Sequence, residues 1–332
     1  MSDSVAHHAI SGVVARLVTP FDADGCIDVR VLRRLLDRMI GAGVDAVTPL
    51  GDSGESIYLD RTEWRHAAAA CLEQVAGRVP TILDVSDITT AGTIERARFA
   101  EKLGAAAILI RPLSCGRLSE NELRQHFATV AEFVSAPIAI GNDPAATGID
   151  MTTEFLVDLV TGIDSITMIV EFSGCVQRMN CITDLIGGSI SLFNGSDLHV
   201  PQAFHDSAGG WYTAAACLVP EQVVRLWRLL NCEQDIAAAV LFDQLAPLFA
   251  TVAGHGLPAI LKSGLRFLGI NAGDPRLPQL PLDIHIGVEL AELISAVRAT
   301  TRFAPDLRMP THPGPRSGAI TATSVCSRSL RR

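Results

Sequence analysis

The segment Ile166-Thr167-Met168-Ile169-Val170-Glu171-Phe172-Ser173-Gly174 is a short apolar run that ends in a polar turn. An apolar run of this length, bounded by turn residues, is typical of a strand that is covered on both faces in a parallel sheet. Seven similar runs lie between residues 13 and 216, and amphipathic or mixed stretches separate them. We therefore predict that residues 165–170 form the sixth of eight buried strands.

The alternation of strands and helices predicts the fold class. The predicted strands cover residues 13–18, 44–50, 80–85, 105–111, 137–141, 165–170, 189–193 and 210–216. Helical patterns lie between them, as in residues 28–43, where Asp28 is a candidate N-cap. Eight such alternations indicate an α/β fold, a closed (β/α)8 TIM barrel. An open doubly wound sheet is the alternative, but no G-x-G-x-x-G follows the first strand.

Only helical patterns follow the eighth strand, and they are apolar enough to pack on the barrel and on another subunit. From Arg302 the sequence is rich in Pro, Ser, Thr and Arg and has little periodicity, which is typical of a disordered tail. The domain order that we predict is an N-terminal arm at residues 1–10, the barrel at 11–220, a C-terminal helical region at 221–301 and the tail at 302–332.

Composition argues against several partners and compartments. The 332 residues carry a formal net charge of −9, which disfavours nonspecific nucleic-acid binding and docking on anionic lipid. No uncharged apolar run reaches the roughly 18 residues of a membrane span. The first twelve residues lack the apolar core of a signal peptide, and the eight cysteines lack metal-site spacing. We expect a cytoplasmic protein with reduced thiols, no membrane partner and no cofactor.

Five short motifs follow one another at the predicted strand ends. They are Val18-Thr19-Pro20-Phe21, Gly51-Asp52-Ser53-Gly54-Glu55, Gly141-Asn142-Asp143-Pro144, Val170-Glu171-Phe172-Ser173-Gly174 and Gly195-Ser196-Asp197. In this order they resemble the dihydrodipicolinate synthase/N-acetylneuraminate lyase family over about residues 11 to 300. The resemblance implies a (β/α)8 barrel with its pocket at the carboxyl ends of the strands. It also implies lyase-type chemistry and a homodimer or homotetramer.

The chain departs from the family pattern at its chemical groups. The resemblance places Val170 where the family has the lysine that condenses with a keto acid, and valine has no nucleophile. By the same resemblance, Gly141 occupies the position of the family tyrosine that shuttles protons. Asp52 occupies the position of the threonine that relays protons to that tyrosine. The second threonine is retained only as Ser53. A family arginine is replaced by Ala146.

Neither lysine of the chain falls in a predicted strand, since Lys102 lies in an outer helix and Lys262 in a C-terminal one. We therefore predict that no lysine Schiff base forms. Asp52 would also repel a keto-acid carboxylate by roughly 4 kcal/mol at about 4 Å in an intermediate dielectric. That repulsion would exclude pyruvate from the position that the family gives it.

Barrel enzymes place their reactive groups at the carboxyl ends of the strands. The candidate catalytic residues there are Asp52, Arg111 and Tyr212. The candidate substrate contacts are Ser53, Asp84, Asn142, Asp143, Val170 and Asp197. This rim is rich in carboxylates, and Arg111 is the one cation that we identify on it.

Several of these residues have alternative roles. Arg111 would either pair with Asp84 in a buried structural bridge or grip a substrate carboxylate. Tyr212 would either replace the lost acid/base group or fill the space that the lysine and tyrosine leave. Asp52, Asp143 and Asp197 would suit a divalent cation, although such sites usually add histidine. We predict no metal here.

Three functions are compatible with this pattern. Our leading hypothesis is a lyase or hydro-lyase-like enzyme that acts on a small polar acid or amine and forms no imine. The alternative is a noncatalytic family relative that binds a small ligand or a partner. Pyruvate aldolase activity through another lysine is the third, and the distance of both lysines from the predicted barrel centre argues against it.

Overall fold

The computed structural model describes residues 10–301, and these form eight parallel strands surrounded by helices. The strands are β1 (Gly12–Arg16), β2 (Ala46–Thr48), β3 (Ile82–Asp84), β4 (Ala107–Ile110), β5 (Ile138–Asn142), β6 (Ile166–Glu171), β7 (Ser191–Asn194) and β8 (Gly210–Thr213). They are hydrogen-bonded in the order β2-β1-β8-β7-β6-β5-β4-β3. A parallel bridge between Val47 and Thr81 joins the two edges. The predicted (β/α)8 TIM barrel is therefore confirmed.

Twelve helices are present in the described residues. They are α1 (Val29–Ala42), α2 (Arg61–Val75), α3 (Thr90–Lys102), α4 (Glu120–Phe133), α5 (Pro144–Thr147), α6 (Thr153–Gly162), α7 (Val176–Ile186), α8 (Val200–Asp206), α9 (Pro220–Asn231), α10 (Asp235–Ala253), α11 (Leu257–Phe267) and α12 (Ile284–Thr301). Asp28 caps α1 as predicted, because its side chain accepts from the backbone N–H of Arg30 and Val31.

The domain boundary predicted near residue 220 coincides with the start of α9 and stays a prediction. The predicted arm at residues 1–10 falls almost wholly outside the described residues, and the predicted tail at 302–332 falls outside them entirely. The predicted strands run past the observed ends of β1, β2, β3, β4 and β8. The difference matters most at β1, which ends at Arg16, and at β8, after which Ala215–Cys217 form a 3-10 turn.

The strands enclose a small apolar interior. Its buried residues are Val14, Ala46, Ile82, Ala107, Leu109, Ala139, Met168, Val170, Phe193 and Tyr212. Because neighbouring residues of a strand point to opposite faces, Tyr212 faces this interior while Trp211 faces outward. Trp211 packs against Phe249 of α10, with ring centroids 5.8 Å apart. The barrel is thus filled by side chains rather than open through its centre.

One helix of the described chain, α10, is long and apolar enough to cross a membrane by length and composition alone. It carries Asp243, so it does not contradict the prediction that no uncharged run reaches the length of a span. Its residues Leu245, Leu248 and Phe249 are buried in the core that α9 and α12 also line. Packing within the fold therefore accounts for its apolar face.

A buried ion pair ties the C-terminal helices to the loop after β2. Lys262 of α11 donates from Nζ to Oε1 of Glu55 at 2.5 Å, and both residues are almost fully buried. The ammonium lies 4.1 Å from the ring centroid of Phe21, and the Arg276 backbone N–H donates to Glu55 Oε2 at 2.7 Å. The ammonium group of Lys262 is thus bound in an ion pair outside the barrel interior.

We expect Lys262→Met to lower the free energy of unfolding by about 3 to 5 kcal/mol, because it leaves the Glu55 carboxylate buried without a cation. Chemical denaturation measures this change. Arg266→Met is the matched control, since its ion pair with Asp274 is exposed and should contribute at most about 1 kcal/mol. Equal effects of the two substitutions would contradict a stabilising role for the buried pair.

Candidate active site at the strand ends

Five charged side chains from five strand ends meet at the carboxyl end of the barrel. They are Arg16, Asp52, Asp84, Arg111 and Asp143, and we call them the arginine–aspartate cluster. Four of them are buried, while the side chain of Asp52 is 26% exposed. The cluster lies where a barrel fold places its reactive groups. Asp52 is therefore its most accessible member.

Arg111 is the centre of this cluster. Its Nη2 and Nε lie 3.0 and 3.1 Å from Oδ2 of Asp84. Its Nη1 lies 3.5 Å from Oδ2 of Asp143 and 3.8 Å from Oδ1 of Asp52. The predicted ion pair between Asp84 and Arg111 is confirmed. Ser86 also donates to Oδ1 of Asp84, from its backbone N–H at 3.0 Å and its hydroxyl at 2.6 Å.

Arg16 is a second cation, so our prediction that Arg111 is the one cation of the rim is wrong. Arg16 forms an ion pair with Asp52, and its guanidinium carbon lies 4.9 Å from the ring centroid of Phe172. The sequence reasoning missed it because the first strand was predicted to run to Val18, which placed Arg16 inside the strand. Val14 faces the interior, and alternation puts Arg16 on the same face.

Arg16 also changes the electrostatic argument for Asp52. Burial alone would raise the pKa of Asp52, but the Coulombic attraction of Arg16 and Arg111 outweighs it and holds that pKa well below its ordinary value. Asp52 is therefore ionised and already paired with a cation. The repulsion that we expected between Asp52 and a keto acid is partly offset by Arg16.

Asp143 behaves in the opposite way. Burial raises the pKa of Asp143, and the negative charge of Asp52 raises it further. Arg111 and Arg16 lower it, but they do not compensate for those effects. The side chain accepts one backbone hydrogen bond, from Ala146 at 3.2 Å, and so caps the short helix α5. Two carboxyls at one arginine nitrogen thus have pKa values displaced in opposite directions.

Gly141 is explained by the position of Arg111. A Cβ built on Gly141 would lie 2.5 Å from Cγ of Arg111, which is too close for any real side chain. The stem of Arg111 therefore occupies the space into which a residue larger than glycine would project at position 141. A glycine at position 141 and the observed position of Arg111 therefore belong together.

Val170 is fully buried in the barrel interior. Its neighbours in register are Gly141 on β5 and Phe193 on β7. Lys102 lies at the end of α3 and Lys262 in α11, so neither lysine of the chain lies in a strand. An aliphatic side chain thus fills this part of the interior.

Tyr212 lies beside Val170 in the same interior cluster. Its hydroxyl is hydrogen-bonded to the hydroxyl of Thr48, and its ring meets Phe172 and Phe193 edge to face at 5.7 and 6.0 Å between centroids. Burial raises the pKa of Tyr212 above its ordinary value, so the phenol stays protonated. These contacts match the space-filling alternative for Tyr212, and its predicted catalytic role stays a prediction.

Asn142 and Glu171 belong to a second polar network. Asn142 Nδ2 donates to both carboxylate oxygens of Glu171, at 3.2 and 3.0 Å, and to Asp150 at 3.1 Å. Arg178 Nη1 lies 3.3 Å from Oε2 of Glu171, and the backbone N–H of Ser173 donates to its Oε1. Glu171 is therefore bonded to the loop after β6, as its position next to Val170 predicts. Asn142 is occupied by these protein partners.

The side chains of Ser53 and Asp197 bond mainly outside the cluster, although the Ser53 backbone N–H supports Asp52 and the charge of Arg16 acts on Asp197. Ser53 is fully buried and donates to the backbone carbonyl of Leu17 at 3.1 Å. Asp197 accepts from the indole N–H of Trp211 at 2.9 Å, and burial raises its pKa. Across residues 10–301 no group of three or more His, Cys, Asp or Glu side chains is arranged to hold a metal ion. The three aspartates of the metal alternative thus do not form such a group.

This fold and site define a (β/α)8-barrel protein with charged groups at the carboxyl ends of its strands. The family model of the dihydrodipicolinate synthetase family matches residues 9–297. The chain therefore belongs to the dihydrodipicolinate synthetase family.

Relatives of known name and structure agree with this assignment. A 4-hydroxy-tetrahydrodipicolinate synthase from Pelobacter propionicus is 31% identical over 271 residues, which cover 82% of this chain and 93% of the relative. The enzyme of the same name from Bartonella henselae is 30% identical over 274 residues, with the same coverage. A crystal structure from Pseudomonas aeruginosa, provisionally named a dihydrodipicolinate synthetase, is 38% identical with a TM-score of 0.85, covering 87% of this chain and all of that one.

Proposed function

We propose that this chain is a lyase-type enzyme that acts on a small polar acid or amine without a lysine Schiff base. The observation that supports this most directly is the fully buried Val170 beneath the arginine–aspartate cluster. A valine side chain offers no group for condensation with a carbonyl. The charged groups above it supply a different chemistry.

The positions of the two lysines support the same proposal. Imine formation needs an unprotonated amine at the carbonyl carbon. The amine of Lys262 is held in the ion pair with Glu55, outside the strand cylinder. Lys102 ends an outer helix. Neither amine has access to the region around Val170.

The charges of the cluster suggest how a substrate would be held. Asp52 is ionised and is the most exposed member, so an ammonium group on a substrate would contact it first. A substrate carboxylate would instead compete with Asp52 for Arg16. A small molecule that carries either group would find a complementary partner here.

A noncatalytic relative that binds a small ligand or a partner is the second candidate. It is favoured by the interior packing, in which Tyr212, Phe172 and Phe193 fill the space around Val170. It is also favoured by the pairing of both arginines, which leaves no guanidinium of the cluster without a carboxylate. In this case the cluster would serve stability and ligand recognition rather than turnover.

We also propose that the protein is a cytoplasmic homodimer or homotetramer without nucleic-acid, membrane or cofactor partners. The C-terminal region exposes several apolar side chains, among them Leu277, Leu280 and Ile284 at 77, 68 and 75%. A second subunit would cover such residues. Light scattering at micromolar concentration should therefore give a multiple of 35.3 kDa, and a monomer mass would contradict the oligomer.

Incubation with pyruvate and borohydride should leave the mass of the protein unchanged, because no amine is placed to form a reducible imine. Intact-protein mass spectrometry measures this, and borohydride without pyruvate is the control. A trapped adduct at any residue would overturn the proposal that the reaction avoids a Schiff base. Lys262→Met would then show whether the adduct sits on that lysine.

A test for turnover distinguishes the proposed enzyme from the noncatalytic relative that only binds a ligand. In a screen of small hydroxy acids, amino acids and amines, followed by NMR of the products, we expect one class to be consumed. Asp52→Asn should lower kcat/KM on it by about 10²-fold or more, since it removes the accessible charge of the site. Asp158→Asn, at an exposed surface pair, should change nothing. A ligand that raises Tm without being consumed would favour the noncatalytic candidate.

A further inference from the structure

We infer that Asp143 is the proton-holding carboxyl of the arginine–aspartate cluster and the acid that the proposed reaction uses. The location of the proton is a property of the fold. Its use in catalysis rests on the proposed function.

The competition of three carboxyls for Arg111 favours a proton on one of them. The charged groups that act on Asp143 are Asp52, Arg111 and Arg16. Arg16 is paired with Asp52. Asp84 binds two nitrogens of Arg111 and also lies within the field of Arg96. Asp143 therefore shares Arg111 with two other carboxyls that are better supplied with cations. An uncompensated charge in a buried cluster is costly, and a carboxyl relieves it by remaining protonated.

The contacts identify which carboxyl carries the proton. Asp84 receives two nitrogens of Arg111 and two donors from Ser86. Asp52 is paired with Arg16 and is partly exposed. Asp143 receives a single distant guanidinium contact, 3.5 Å from Nη1 of Arg111, and one backbone N–H. Asp143 is thus the least stabilised as an anion.

The opposite pKa displacements of Asp52 and Asp143 agree with this assignment. When the environments of two neighbouring carboxyls separate their pKa values, one remains an acid while the other is an anion. The strongly paired Asp52 is a weak base and serves as the fixed negative charge. Asp143 is the carboxyl that has a proton to give.

The position of Asp143 suits the role that Gly141 cannot fill. It lies two residues further along the same strand end, on the turn that starts α5. When Asp143 gives its proton, its O–H bond breaks and a bond to hydrogen forms on the departing oxygen or nitrogen, or on a carbanionic carbon. The bonding electrons stay with Asp143 as a carboxylate. Arg111 Nη1 is placed to stabilise that carboxylate, and solvent returns the proton.

Carbon NMR of the full chain labelled at the aspartate carboxyl carbon tests the location of the proton. We expect the Asp143 signal to titrate with a midpoint above that of an ordinary aspartate, which titrates near 3.9. Asp143→Asn assigns the signal by removing it, Asp197→Asn assigns the other aspartate with a raised pKa, and Asp158→Asn is the control. A midpoint at or below about 3.9 would overturn the inference.

Stability gives a second readout with a definite sign. Because its folded pKa lies above the unfolded value, Asp143 contributes stability that is complete below pH 3.8 and is lost as pH rises through the folded pKa. The unfolding free energy of Asp143→Asn should therefore rise relative to the wild type as pH increases through that range. No such trend would count against a protonated Asp143. If Asp143→Asn does not fold, a raised aspartate midpoint that persists in Asp197→Asn still reports Asp143, because Asp197 is the other described aspartate with a raised pKa.

Activity then tests the catalytic part separately. With a substrate in hand, Asp143→Asn should lower kcat by about 10²-fold or more and remove the alkaline limb of the pH profile. Retention of that limb would overturn the acid role. If Asp143 holds its proton but no acid or amine is consumed, the catalytic part and the proposed enzyme fail, while the location of the proton stands.

Discussion

The contact between Arg111 and three aspartate side chains is the interaction on which the strand-end arrangement depends. It joins Asp84, Asp143 and Asp52, which come from three different strand ends, through one guanidinium group. Asp84 is fully buried, and a buried carboxylate without a cation costs several kcal/mol. The same side chain fixes the glycine at position 141 through the close approach of its Cγ. Arg111 thus supplies the counter-ion of the buried aspartates and also fills the space beside position 141.

The carboxyl end of the barrel is built in two layers, one charged and one apolar. The upper layer holds the charged cluster, and the layer below holds Val170, Phe193 and Tyr212 in apolar and aromatic contact. Phe172 touches both, since its ring packs on Tyr212 and faces the guanidinium of Arg16. The apolar lower layer reduces the polarity of the surroundings of the cluster, which strengthens each charge interaction above it.

Much of the fold could be predicted from sequence, because the strand and helix periods of residues 13–300 are regular. The bounds of α1, Val29–Ala42, agree to within one residue with the pattern at residues 28–43, and Asp28 caps this helix as predicted. The Asp84–Arg111 pair was also accessible, since both residues stand at adjacent strand ends. Arg16 was missed because the end of β1 was misplaced, and side-chain alternation with Val14 was the signal that would have found it. The side chains of Ser53 and Asn142 form their hydrogen bonds with other protein groups. Those contacts depend on the three-dimensional arrangement and could not be predicted from sequence patterns.

The mutual exclusion between Arg111 and any larger residue at position 141 has a consequence for how this barrel can change over generations. A tyrosine could be accommodated at position 141 only if Arg111 were shortened, and shortening Arg111 would remove the two nitrogens that bind Asp84. Positions 111 and 141 are therefore expected to covary among related sequences, because a substitution at one limits the residues that the other accepts.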